Sequence, residues 1–134
     1  MLFNIAGVVA DGTTPVTATA ARTDLMVYQG VDTFLAVTVT GSSGVPINLT
    51  SCVGVLTIRD RVMPNQGTPS VLQTYVATLT APATGLMTFI VPGAFIKALL
   101  LKSYFYDVFL TNASGYRDEV IPVSQFSVQQ SIGA

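Results

Sequence analysis

The sequence predicts an all-β chain: an antiparallel sandwich of about seven or eight strands, with one short helix and an extended N-terminal arm. Three observations point there. Valine and threonine are the most frequent residues, and branching at Cβ favours the pleated, half-buried environment of a strand. Short apolar runs alternate with clusters of Gly, Ser, Pro and Asn, the residues that turns need. Finally, 134 residues at 50% hydrophobic and 10% charged suffice for one domain with a sizeable core.

Residues 1–21 differ in character from the rest. The stretch Ala10-Asp11-Gly12-Thr13-Thr14-Pro15-Val16-Thr17-Ala18-Thr19-Ala20-Ala21 is small, low in complexity and uncharged apart from Asp11. It predicts an extended arm ahead of a single sandwich domain over residues 22–134. Within that domain the expected strands are 24–28, 33–40, 52–60, 71–80, 86–91, 104–111 and 116–128. Pro122 lacks an N–H for a ladder and predicts an edge, a bulge or a break in the last of them. The intervening turns are Gly41-Ser42-Ser43-Gly44, Met63-Pro64-Asn65-Gln66-Gly67, Ala81-Pro82-Ala83-Thr84-Gly85 and Asn112-Ala113-Ser114-Gly115. Residues 92–102 are rich in helix formers behind Pro92, so a short helical turn is expected to cross between sheets and plug one end.

Alternation is most informative where it fails. In Tyr104-Phe105-Tyr106-Asp107-Val108-Phe109-Leu110 both faces are largely apolar, as they are in Leu35-Ala36-Val37-Thr38-Val39. A sandwich strand needs only one buried face. The surplus predicts cover from the arm, from the helix or from another subunit. The contact residues expected on this ground are Leu2, Phe3, Ile5, Val8 and Val9 in the arm, with Phe105 and Phe109 in the body.

Composition also narrows the chemistry. Six Lys+Arg against seven Asp+Glu leave a net charge of −1, and the 10% charged fraction is well under the roughly 25% usual in soluble domains. Disorder and electrostatic capture of nucleic acid are both disfavoured. The absence of histidine removes the commonest general base and metal ligand. Cys52 is the sole cysteine, so no internal disulfide forms, and it is expected as a small buried hydrophobe. No phosphate-binding loop, nucleophile elbow or metal cluster stands in the sequence. No catalytic residue, cofactor or metal is therefore expected, and the chain is expected not to be an enzyme. Asp118 and Glu119 are the only adjacent carboxylates, and on a strand they point to opposite faces. Asp107, inside an apolar strand, calls for a partner, and Arg59 and Arg117 are the candidates. Asn48-Leu49-Thr50 and Asn112-Ala113-Ser114 match glycosylation sequons but read as turn residues. The opening ten residues are too short to span a bilayer and lack the basic start of a signal peptide.

The order of several segments resembles a known family. Asp24-Leu25-Met26-Val27-Tyr28-Gln29-Gly30 followed by Thr33-Phe34, then Gly44-Val45-Pro46-Ile47-Asn48-Leu49-Thr50 leading to Ile58-Arg59, is one part of it. Tyr106-Asp107-Val108-Phe109-Leu110-Thr111 before Gly115, and Gln125-Phe126-Ser127-Val128, complete it. Over residues 22–128 the chain resembles a tailed-phage virion domain, like the N-terminal sandwich of baseplate upper and tail-fibre-associated proteins. The resemblance implies an Ig-like sandwich used for assembly, with other virion proteins as partners, homo-oligomerisation, and residence in the virion. It carries over no catalytic residue. An apolar arm in front of a sandwich equally suits a capsid-decorating (cement) protein that clamps neighbouring subunits. A carbohydrate- or receptor-binding module on the same fold would display loop aromatics, for which Tyr116 is the candidate.

Overall fold

The computed structural model describes residues 2–8, 23–41, 44–60 and 71–130. Among them the chain forms nine strands: β1 Leu2–Val8, β2 Leu25–Tyr28, β3 Thr33–Thr40, β4 Val53–Arg59, β5 Val71–Val76, β6 Thr78–Ala81, β7 Leu86–Val91, β8 Ser103–Thr111 and β9 Arg117–Gln129. A 3-10 turn over Pro82–Thr84 and one short helix, α1 (Gly93–Lys97), complete the described elements. Two sheets result. One has four strands in the order β1-β3-β7-β6, the other five in the order β2-β9-β8-β4-β5. The chain is thus an all-β two-sheet sandwich.

Strand period two fixes which side chains meet between the sheets. Leu35, Val37 and Val39 of β3 and Met87, Phe89 and Val91 of β7 are buried, facing Leu56 and Ile58 of β4 and Tyr104, Tyr106 and Val108 of β8. Tyr106 packs edge-on against Phe126 with ring centroids 6.3 Å apart. Its hydroxyl donates to the carbonyl of Thr23, so this polar atom is satisfied inside the core.

Several expectations are corrected by this arrangement. Two strand pairs are parallel, β1 with β3 and β2 with β9. Parallel neighbours need a long connection. Here the chain visits the opposite sheet as β2 between β1 and β3, and almost the whole domain separates β2 from β9. The described part of the expected arm, Leu2–Val8, is an edge strand of the four-stranded sheet, and Ile5 is buried in the core. Residues 9–22 lie outside the described residues. The strand expected over 71–80 divides at Ala77, with β5 in one sheet and β6 in the other. Gly54 makes room for that corner: a Cβ there would lie 3.1 Å from Ala77 Cβ and 2.5 Å from Met87 Sδ. The Ala77 N–H donates to the Gly54 carbonyl at 2.9 Å.

Pro122 does not split β9. Between the pairs Tyr106↔Ser124 and Val108↔Ile121, β9 has one residue more than β8. Pro122 sits in that bulge, where no ladder hydrogen bond is asked of it.

The helix is shorter than the expected 92–102 segment. Asp32 Oδ1 accepts from the Gly93 N–H at 2.7 Å, and Gly93 lies so close to Gly30 that a Cβ would stand 2.6 Å from its carbonyl carbon. Ile96 is buried, and Phe95 and Leu99 pack against the core, plugging this end of the sandwich. Leu100 and Leu101, expected in the same plug, are instead exposed beyond it.

Candidate interaction surface

While Phe34 and Ile90 stand exposed as a pair on the four-stranded sheet, the outer face of the five-stranded sheet carries part of the surplus of apolar side chains. Strand register sets them in rows. Val76 of β5 stands beside Val55 of β4, Val55 beside Phe109 of β8, and Phe109 beside Glu119 of β9. At about 4.8 Å per strand this row crosses about 14 Å. Val53, two residues from Val55, adds to the same face beside Thr111, which in turn pairs with Arg117. Val76 is 68% exposed and Val53 49% exposed, whereas Val55 and Phe109 are half-buried by their neighbours. The result is an apolar patch at the Thr111 end of β8.

Charges border it. The Arg117 guanidinium lies 3.8 Å from the centroid of the Phe109 ring, a cation–π stack that shields one side of the phenylalanine. Asp107, one strand period from Phe109, is buried, with Oδ2 3.7 Å from Arg59 Nε. Arg59 is thus the nearer of the two expected partners. Asp107 Oδ1 is buried and accepts no hydrogen bond among the described residues. Burial pushes the Asp107 carboxyl above the ordinary range, and the positive charges of Arg59 and Arg117 pull it back only in part. Glu119 is raised by burial first and by the Asp107 charge second. Asp118 pairs with Leu110 and Glu119 with Phe109, so the two adjacent carboxylates point to opposite faces.

The expected contact residues are distributed unevenly. Phe105 and Phe109 are half-buried on the outer face of β8. Phe3 is half-buried against the core and Ile5 is part of it, so β1 spends these two side chains inside the sandwich. Leu2 and Val8 are the end residues of β1, and Val9 lies outside the described residues. Val53, Val55 and Val76 are not among the contact residues that the sequence predicts. The available signal was the Val53-Gly54-Val55 spacing, which puts two valines on one face, but only register joins them to Phe109.

Cys52 stands just before β4, half-buried against the core rather than on a strand, and burial pushes its thiol up, which keeps it protonated. Among the described residues no three His, Cys, Asp or Glu side chains stand close enough to hold a metal ion, and no helix is long and apolar enough to cross a membrane.

No protein-family model and no curated protein matches the chain. Among solved structures it is similar to the N-terminal domain of phage TP901-1 ORF48. That likeness has 8% sequence identity and a TM-score of 0.49, covering 98% of this chain and 100% of that one.

Proposed function

We propose that the chain is a non-enzymatic structural subunit of a tailed-phage virion, a tail, baseplate or fibre-attachment component that oligomerises and binds other virion proteins. The observation that carries this reading is the Val76-Val55-Phe109 row, an apolar strip on a sheet face that its own sandwich leaves exposed. Subunits that live among other subunits resolve such a strip by covering it, and a standard contact of about 800 Å² per partner is large enough to do so. The segment order that resembles virion sandwiches supports the same reading, as does the charge poverty of the chain.

Protein composition and labelled imaging of purified particles test it. The chain is expected as a stoichiometric particle component, with label on the tail or baseplate. Label on the head would favour a capsid-decorating role instead. Absence from particles that assemble in its presence would overturn both.

A further inference from the structure

We propose that copies of this chain pair edge to edge, β5 of one copy running antiparallel to β5 of a second across a two-fold axis at Tyr75. The inference rests on the assembly reading and deepens it by naming the partner and the register.

β5 closes one border of the five-stranded sheet, and its free side meets no strand among the described residues. Five of its six residues are exposed, only Tyr75 being half-buried. The Ala77 N–H donates to the Gly54 carbonyl at 2.9 Å, next to the pair Val55↔Val76. Ladder alternation then turns the N–H and C=O groups of Tyr75 and Gln73 toward β4 and those of Thr74 and Val76 outward. Such bare main-chain groups are a template for another extended strand. Natural edges set charges or proline against that event. β5 has neither, and no charged residue stands anywhere from Val62 to Ile96. Its one irregularity is the extra residue Leu72, between the pairs Ile58↔Gln73 and Arg59↔Val71, which leaves 73–76 regular.

The regular stretch is complementary to itself. With the axis at Tyr75, Thr74 lies opposite the second copy's Val76, and Val76 opposite its Thr74. Both are hydrogen-bonded pairs, so four main-chain bonds form and every outward group of these residues is used. Tyr75 meets its own copy as a close, non-hydrogen-bonded pair. On that face it already packs edge-on against Phe95, with centroids 6.0 Å apart. Aromatic side chains facing each other across strands are a favourable pair, and here they join the two Tyr75–Phe95 contacts into one run. Neutrality matters for the same reason: a two-fold axis sets a side chain near its own copy, where a charge would repel itself. Four bonds and one aromatic pair make a contact smaller than the standard of about 800 Å² per partner, so the dimer is weak on its own.

Light scattering over a concentration series, with circular dichroism confirming the fold, tests the pairing. The unmodified chain is expected to pass from monomer to dimer. Thr74→Pro removes one outward N–H per copy without touching a bond to β4, and should weaken dimerisation about tenfold or more. Should it fail to fold, Thr74→Lys, which sets two positive charges near the axis, replaces it. Val53→Asp, on the outer face away from the edge, is expected to leave the dimer unchanged. Oxidation of Tyr75→Cys in a Cys52→Ala background reads the register. Cα atoms of a non-hydrogen-bonded pair stand about 4.5 Å apart, within disulfide reach. A covalent dimer should therefore form about tenfold or more faster than with Val53→Cys in the same background. A chain monomeric at every concentration, unchanged dimerisation of the Thr74 variant, a dimer lost in Val53→Asp, or equal oxidation rates would each overturn the proposal. A monomeric chain that is still a particle component would overturn edge pairing while leaving the assembly reading standing.

Discussion

Strand β8 carries aromatic side chains on both of its faces, and the two faces solve burial differently. Inward, Tyr104, Tyr106, Val108 and Leu110 are covered by the opposite sheet, and Tyr106 meets Phe126 edge-on. Outward, Phe105 and Phe109 are only half-buried, Asp107 lies between them, and Arg117 stacks on Phe109. Inner-face residues are held by the fold; outer-face residues are held by their neighbours on one sheet. Substitutions should therefore cost stability inside and association outside.

The largest expected effect is on the inner face. Tyr106→Ala leaves a cavity beside Phe126 and removes the partner of the Thr23 carbonyl, and denaturant unfolding should show a loss of about 3–5 kcal/mol. A loss below about 1 kcal/mol would mean that the two faces are packed alike. Gly93→Ala comes next. Its Cβ would overlap the Gly30 carbonyl, a backbone group with little room to yield, so about 1–3 kcal/mol is expected from the same measurement.

Asp107 sharpens the comparison through pH. Asp107 and Glu119 both hold their protons to higher pH in the folded chain than in the unfolded one. The stability linked to them is complete below the ordinary carboxyl range and falls as pH rises through their raised values. Asp107→Asn should flatten that descent when unfolding midpoints are compared from about pH 3 to 7. An unchanged slope would place the titration elsewhere. The smallest effect belongs to the rim of the outer face: Val76→Ser should change stability by less than about 0.5 kcal/mol, read by thermal melting.

Much of this comparison is legible in the sequence, because alternation reports faces. The strands at 33–40, 86–91 and 104–111 are visible as apolar periods, and the doubly apolar 104–110 run marks β8 as the place to look. What alternation does not report is the neighbour. Leu2–Val8 has the same pattern whether it reaches out or pairs with β3, and only the vacancy beside β3 decides. The 71–80 run keeps its period through Ala77, although the partner changes there from β4 to β7. Val76 enters the candidate surface through its place beside Val55, a relation between segments some twenty residues apart. Leu100 and Leu101 resemble core leucines by type. Their exposure follows from α1 ending at Lys97, after Ile96 has filled the available space.

The corner at Ala77 also bears on mechanics. Because β5 runs into β6 through a single residue, the two sheets are tied along one border by the chain itself. A load that tries to slide one sheet over the other meets covalent bonds at that border before it can peel the ladders apart. Tension along the strands is then shared by both layers.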